Sequence, residues 1–129
     1  MALIHLDHTP ETVKVNLPLN IILPDPGSME GLPVAKRRVL YLLHGLSEDA
    51  SAWQRYTSIE ILANAYGLVV IMPSAGRSFY IDQPNGQQYF TYLVDELPQY
   101  LADRGSGGRS RASGVAGVRS HEVVGAAIG

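Results

Sequence analysis

The stretch Arg38-Val-Leu-Tyr-Leu-Leu-His-Gly-Leu46 decides the fold of this 129-residue chain. Residues 39–43 form a continuous apolar run, which is typical of a strand that is covered on both faces of a parallel sheet. His44 and Gly45 follow at once, and glycine permits tight turning of the backbone. The stretch therefore predicts a buried strand that runs into a turn, where backbone N–H groups could face a developing oxyanion.

The segments on either side predict an α/β fold with a mostly parallel sheet. Residues 2–7 alternate between apolar and polar side chains, and residues 12–23 follow as a long strand, so the two indicate an antiparallel hairpin. Beyond the quoted stretch the predicted elements are a helix at 57–66, a buried strand at 68–72 and a helix at 87–103. Thr57 and Glu60 fit a capping box for the first helix, and Pro98 should kink or divide the second. A hairpin followed by strand, helix, strand and helix is the opening of an α/β fold.

The composition of the chain changes near Asp103. Residues 1–103 contain all ten aromatic residues, with six Lys and Arg against eleven Asp and Glu. Residues 104–129 contain no aromatic residue, four Arg, one Glu and seven of the thirteen glycines. Because such a segment buries too little apolar surface to offset its ordering entropy, we predict one folded domain over residues 1–103 and a disordered tail over residues 104–129.

The arginines of the tail allow two interpretations. The arginines of residues 104–111, Arg-Gly-Ser-Gly-Gly-Arg-Ser-Arg, could contact phosphates. The whole tail carries only four positive charges and no aromatic residue, which supports only weak, non-specific binding of nucleic acid. The alternative is that the Gly- and Arg-rich segment results from out-of-frame translation of GC-rich coding DNA.

The overall composition narrows the class of protein. A formal net charge of −2 and an apolar fraction of 46% are typical of a globular protein, and not of a nucleic-acid-binding one. The absence of cysteine excludes disulfides and thiolate metal sites. No apolar run approaches the roughly 20 residues of a membrane span. We therefore predict a cytoplasmic protein with no metal, no membrane partner and no specific nucleic-acid partner.

Several segments together resemble one family, the esterase D/S-formylglutathione hydrolase-related group of α/β-hydrolases, in particular its tributyrin-esterase-like members. The matching segments are residues 39–53, Thr57-Ser-Ile-Glu60, Leu68-Val-Val-Ile-Met-Pro73, Ser78-Phe-Tyr-Ile-Asp82 and Asp95-Glu-Leu-Pro98. The resemblance covers roughly residues 1–103 and implies the N-terminal portion of an α/β-hydrolase fold. It also implies hydrolysis of short-chain carboxylic esters or thioesters through a serine acyl-enzyme, without a metal or an organic cofactor.

The resemblance gives roles to particular residues. In α/β-hydrolases one N–H of the oxyanion hole comes from the loop after the third strand. The resemblance therefore implies the backbone N–H of Leu46 as an oxyanion-hole donor and Gly45 as part of the oxyanion loop. It also implies Trp53 and Tyr80 as walls of a substrate pocket, with Asp82 beside them. The alternative is that the two aromatic side chains pack over the core and that Asp82 caps a turn.

The nucleophile of the family is missing from this sequence. In the family it lies on a Gly-x-Ser-x-Gly elbow after the next strand, and no such pattern occurs in the chain. Ser110 is the nearest match, but it lacks the second glycine and a preceding buried strand. Ser47 would require one loop to supply both the oxyanion hole and the nucleophile. We therefore predict that neither serine is a nucleophile, and that the fold is truncated before the nucleophile-elbow strand.

No residue completes a catalytic triad as its acid or base. His5 and His8 belong to the predicted hairpin, and His121 lies in the tail, where Glu122 is the only acid that follows Ser110. The neighbouring Asp95-Glu96 point in different directions on a helix, which is typical of a solvated face.

Three functional hypotheses stay open. The first is an N-terminal fragment of a serine esterase that is inactive alone. The second is a non-catalytic binding or interaction protein, and the third is a half-enzyme that another chain completes. In the isolated chain the apolar strand at residues 39–43 is expected to lie at an exposed sheet edge, which favours poor solubility or self-association there.

Overall fold

The computed structural model describes residues 1–29, 38–45, 47–76, 78 and 80–106. A four-stranded mixed sheet lies at its centre, formed by β1 (Ala2–His8), β2 (Leu17–Leu23), β3 (Val39–Tyr41) and β4 (Val69–Pro73), in the spatial order β1-β2-β4-β3. β2 pairs antiparallel with both β1 and β4, whereas β3 and β4 run parallel. The predicted hairpin and the predicted parallel pair are both confirmed.

Four α-helical segments flank the sheet: α1 (Ala52–Tyr56), α2 (Ile59–Tyr66), α3 (Tyr89–Thr91) and α4 (Leu97–Ser106). A π-helical segment, Tyr92–Glu96, joins α3 to α4, and a short 3-10 helix occupies Pro26–Met29. The widened π turn lies directly before Pro98, whose ring would otherwise meet the carbonyl group four residues earlier. The proline therefore alters the geometry of the predicted last helix without ending it.

Hydrophobic clusters cover both faces of β4, all five residues of which are buried. On one face Ile71 shares a cluster with Leu97 of α4. On the other face Val70 and Met72 share a cluster with Ala63 of α2. Alternate side chains of β4 thus point into two separate cores, as the continuous apolar run predicted.

The predicted capping box is wrong. α2 begins after Ser58, which makes no side-chain cap. Thr57 instead ends α1, because its Oγ1 donates to the Trp53 carbonyl at 2.5 Å. Helix α1 lies before residue 57, in a segment where the sequence predicted no helix. Its five residues carry an apolar pattern that is too short to be recognised as helical.

The predicted apolar stripes of the helices are too wide. Leu62 and Tyr66 of α2 are 49% and 65% exposed, and Phe90 and Val94 near Pro98 are 55% and 48% exposed. The residues that the helices bury are fewer. They are Ile59 and Ala63 in α2, and Tyr89, Tyr92, Leu93, Leu97 and Leu101 in the last helical stretch. Leu62 and Phe90 each lie one position from a buried residue and are therefore rotated from it by about 100° around the helix.

Candidate active site

His44 joins the ends of the two parallel strands. Its ring is 1% exposed. The Ala75 N–H donates to Nε2 at 2.9 Å, and Nδ1 lies 2.7 Å from the Gly45 carbonyl oxygen. Because a backbone N–H can only donate, Nε2 must carry a lone pair, and the ring proton therefore lies on Nδ1 and is donated to Gly45. Both ring nitrogens are engaged by the backbone, so His44 holds the turn and is not placed to act as a base.

Gly45 is buried in the turn that follows His44. Leu46, the predicted oxyanion-hole donor, lies outside the described residues, and its role stays a prediction. Ser47 is exposed and has a φ of +71°, in the left-handed region that non-glycine residues rarely occupy. Since both nitrogens of the neighbouring His44 have other partners, that ring does not activate Ser47.

Trp53 and Tyr80 both direct their polar groups at this turn. The Nε1–H of Trp53 donates to the Leu43 carbonyl at 3.0 Å. The hydroxyl of Tyr80 donates to the His44 carbonyl. Burial raises the pKa of Tyr80 to about 12, so the phenol keeps its proton at neutral pH. The structure thus brings Trp53, Tyr80 and Gly45 together around a single turn.

Asn20 supports the turn from the neighbouring strand β2, and the sequence analysis missed it. It is 7% exposed, and its Nδ2 donates to the Ala50 carbonyl at 3.2 Å and to Gln54 Oε1 at 3.0 Å. Its Oδ1 lies 2.5 Å from Nδ1 of His5. These bonds connect β2 to the segment that carries α1 and Trp53. A single amide inside the otherwise apolar strand Leu17–Leu23 was the sequence signal.

The two predicted carboxylate positions have structural roles. Asp82 accepts from Thr91 Oγ1 at 2.6 Å and from the Thr91 N–H at 3.0 Å, and these bonds hold the pKa of Asp82 below its usual value. Asp82 therefore caps a turn at α3, as the alternative interpretation predicted. Burial alone would raise the pKa of Glu96, but hydrogen bonds from Thr12 and Glu11 outweigh it and hold that pKa low. The prediction that Glu96 lies on a solvated helix face is wrong, because it ties the β1–β2 connection to the last helical stretch.

His8 is also engaged in structural contacts. Its Nε2 lies 2.7 Å from the Tyr92 hydroxyl, and its ring stacks on Tyr100 with 4.9 Å between centroids. Burial lowers the pKa of His8. The hydrogen-bond partners of the three described histidines are not serines. Ser110 and His121, which the sequence analysis predicts to be inert, lie outside the described residues.

A hollow of about 660 Å³ lies at the same end of the sheet, but apart from the His44 turn. It is lined by residues 11–15 and 85–88. Within the described ranges, no group of three or more His, Asp or Glu side chains is arranged to hold a metal ion. None of the helices in the described part of the chain is long and apolar enough to cross a membrane.

The chain is similar to several hydrolases of known structure or function. The serine hydrolase FphF of Staphylococcus aureus, described as fluorophosphonate-binding, is 36% identical, with a TM-score of 0.69 over 80% of this chain and 41% of FphF. The S-formylglutathione hydrolase FrmB of S. aureus is also 36% identical, with a TM-score of 0.65 over 79% of this chain and 41% of FrmB. An acetyl esterase of Caldicellulosiruptor saccharolyticus is 29% identical over 98 residues, which are 73% of this chain and 37% of the esterase. No family model matches.

The strand order and these similarities define the fold of an α/β-hydrolase. Within that class these similarities support an esterase D-like family, whose members the chain matches over their N-terminal portion. It spans about two fifths of the length of the relatives that it matches.

Proposed function

We propose that this chain supplies the oxyanion-loop part of a serine carboxylesterase, whose complete form hydrolyses short-chain carboxylic esters or thioesters. The observation that carries the proposal is the buried His44–Gly45 turn at the carboxyl end of β3, fixed by hydrogen bonds to the backbone on both sides of the His44 ring. A preorganised turn is what stabilisation of a tetrahedral oxyanion requires. The similarity to an S-formylglutathione hydrolase and to an acetyl esterase supports this substrate class.

We further propose that the 129-residue chain does not hydrolyse esters by itself. Acyl transfer through an acyl-enzyme needs a nucleophile within hydrogen-bond reach of a base. The sequence has no Gly-x-Ser-x-Gly pattern. The rings of His5, His8 and His44 lie against Asn20, Tyr92 and the backbone, respectively. A cytoplasmic location stays a prediction, which fractionation of the native cells would check.

The first prediction concerns activity. The purified chain should show no turnover of p-nitrophenyl acetate or butyrate above the buffer rate, and no covalent labelling by a fluorophosphonate probe, because it lacks an activated serine. FphF serves as the positive control for labelling. Intact-protein mass spectrometry measures the labelling, and a stoichiometric adduct at Ser47 or Ser110 would contradict the proposal.

The outer edge of β3, which pairs with no other strand of the described residues, favours a second candidate role, association with another copy or with a completing chain. β3 is the terminal strand of the described sheet. The Arg38 carbonyl accepts from the Val69 N–H, and the Leu42 N–H donates to the Ile71 carbonyl, so these alternate residues of the strand face β4. The backbone groups of Val39 and Tyr41, between them, consequently point to the outer edge.

The second prediction tests this edge. The chain should self-associate in sedimentation experiments at micromolar concentration, because an apolar strand with outward N–H groups pairs readily. Val39→Pro removes one outward N–H without touching the bonds to β4, and it should shift the population toward monomer. Val39→Ala is the matched control, since it shortens the side chain but keeps the N–H. A wild-type monomer, or equal association of the Pro and Ala variants, would contradict the proposed edge.

A further inference from the structure

Three successive backbone carbonyl groups at the end of β3 each accept a hydrogen bond from a side chain. Leu43 accepts from Trp53 Nε1 at 3.0 Å, and His44 accepts from the Tyr80 hydroxyl. Gly45 accepts from His44 Nδ1 at 2.7 Å. The three donors come from α1, from the loop after β4 and from the turn itself.

These hydrogen bonds follow the last regular pairing of β3 with β4. The sequence predicted a strand to residue 43, but β3 ends at Tyr41, and the Leu42 N–H makes a further bond to β4. Backbone carbonyls in a buried environment need partners. Trp53, Tyr80 and His44 supply them, and so they keep the continuation of the strand in a defined conformation.

The backbone of Tyr80 is held in an uncommon conformation. Its φ is +58°, in the left-handed region where a Cβ atom is disfavoured. Such conformations persist where the surroundings over-determine them. Here the ring of Tyr80 lies 5.6 Å from the ring of His44, at an interplanar angle of 56°, and the hydroxyl reaches the His44 carbonyl. The unusual φ therefore places the phenol against the turn.

We propose that Trp53 and Tyr80 are positioning residues for the oxyanion turn, which act by fixing the orientation of its peptide groups. A peptide group is planar and trans, so a fixed carbonyl direction also fixes the opposite direction of the N–H in the same group. The bonds to the Leu43 and His44 carbonyls therefore fix the N–H groups of His44 and Gly45, which precede the predicted donor Leu46 in the turn. The polar atoms of both side chains are used in this way. The assignment of Trp53 and Tyr80 as walls of a substrate pocket stays a prediction. The assignment of this turn to an oxyanion hole rests on the proposed esterase function. The three hydrogen bonds themselves do not depend on that function.

NMR spectroscopy of the full 129-residue chain, labelled with 15N and 13C, tests the inference. The single tryptophan gives a unique indole signal. We expect a scalar coupling across the hydrogen bond from Trp53 Nε1 to the Leu43 carbonyl carbon. Tyr80→Phe should shift the carbonyl resonance of His44 upfield and leave the β4 resonances unchanged. Tyr66→Phe is the control, because that side chain is 65% exposed on α2.

The outcomes distinguish failure of the positioning role of Trp53 and Tyr80 from failure of the proposed esterase function. Absence of the Trp53–Leu43 coupling in the wild type, or an equal His44 carbonyl shift in Tyr80→Phe and Tyr66→Phe, would overturn the positioning role. The wild-type coupling requires no substitution, so it stays decisive if Tyr80→Phe fails to fold. Failure of the esterase proposal is observed separately, in the activity and labelling experiments, because neither NMR measurement depends on turnover.

Discussion

Replacing His44 by alanine should lower the free energy of unfolding by about 3 kcal/mol. The substitution removes a ring that is 1% exposed and leaves a cavity between the ends of β3 and β4. It also removes the partners of two backbone groups, the Ala75 N–H and the Gly45 carbonyl. Urea-induced unfolding, followed at one fixed protein concentration, measures the change.

Two further variants divide that effect between the two hydrogen bonds. His44→Asn keeps a donor near the position of Nδ1, and His44→Gln keeps an acceptor near the position of Nε2, so each should recover part of the lost free energy. Ile61→Ala is the surface control, because Ile61 is 73% exposed on α2. An unfolding free energy of His44→Ala within about 0.5 kcal/mol of the wild type would show that the ring does not hold the turn.

The parts of the fold that were predictable are those that local sequence determines. The five buried residues of β4 appear as a continuous apolar run, and Gly67 marks the end of α2, where it adopts a φ of +62°. The early end of β3 was not predictable in this way. The bonds that hold the chain beyond β3 join Trp53 and Tyr80 to carbonyl groups that lie 10 and 36 residues away along the chain.

The position of the site in the sequence was predictable, but the hydrogen bonds that join it to distant residues were not. His44 and Gly45 were recognised because a glycine turn follows a buried strand. The bond from the Ala75 N–H to His44 joins residues that are 31 positions apart, and neither residue type indicates it. The assignment of Trp53 and Tyr80 as pocket walls came from the family resemblance. The resemblance predicts where these residues lie, but not which carbonyl groups they contact.

Replacing Tyr92 by alanine should lower the free energy of unfolding by about 4 kcal/mol. Tyr92 is fully buried, and it lies in the cluster that joins the sheet to the last helical stretch. It is also the first residue of the π-helical segment, whose widened turn is closed by a bond from the Leu97 N–H to the Tyr92 carbonyl. Loss of the ring therefore removes a fully buried contact between this irregular helix and the cluster that includes residues of β2 and β4.

A conservative variant separates the packing of Tyr92 from its hydrogen bond. Tyr92→Phe keeps the ring and loses only the bond to His8 Nε2, so a decrease of about 1 kcal/mol is expected. Tyr66→Ala, at an exposed position of α2, should change the unfolding free energy by less than about 0.5 kcal/mol. Equal losses for the Phe and Ala variants would mean that the hydrogen bond to His8, and not burial of the ring, joins β1 to the helix. In that case the hairpin, and not the core beneath β4, would position the last helical stretch.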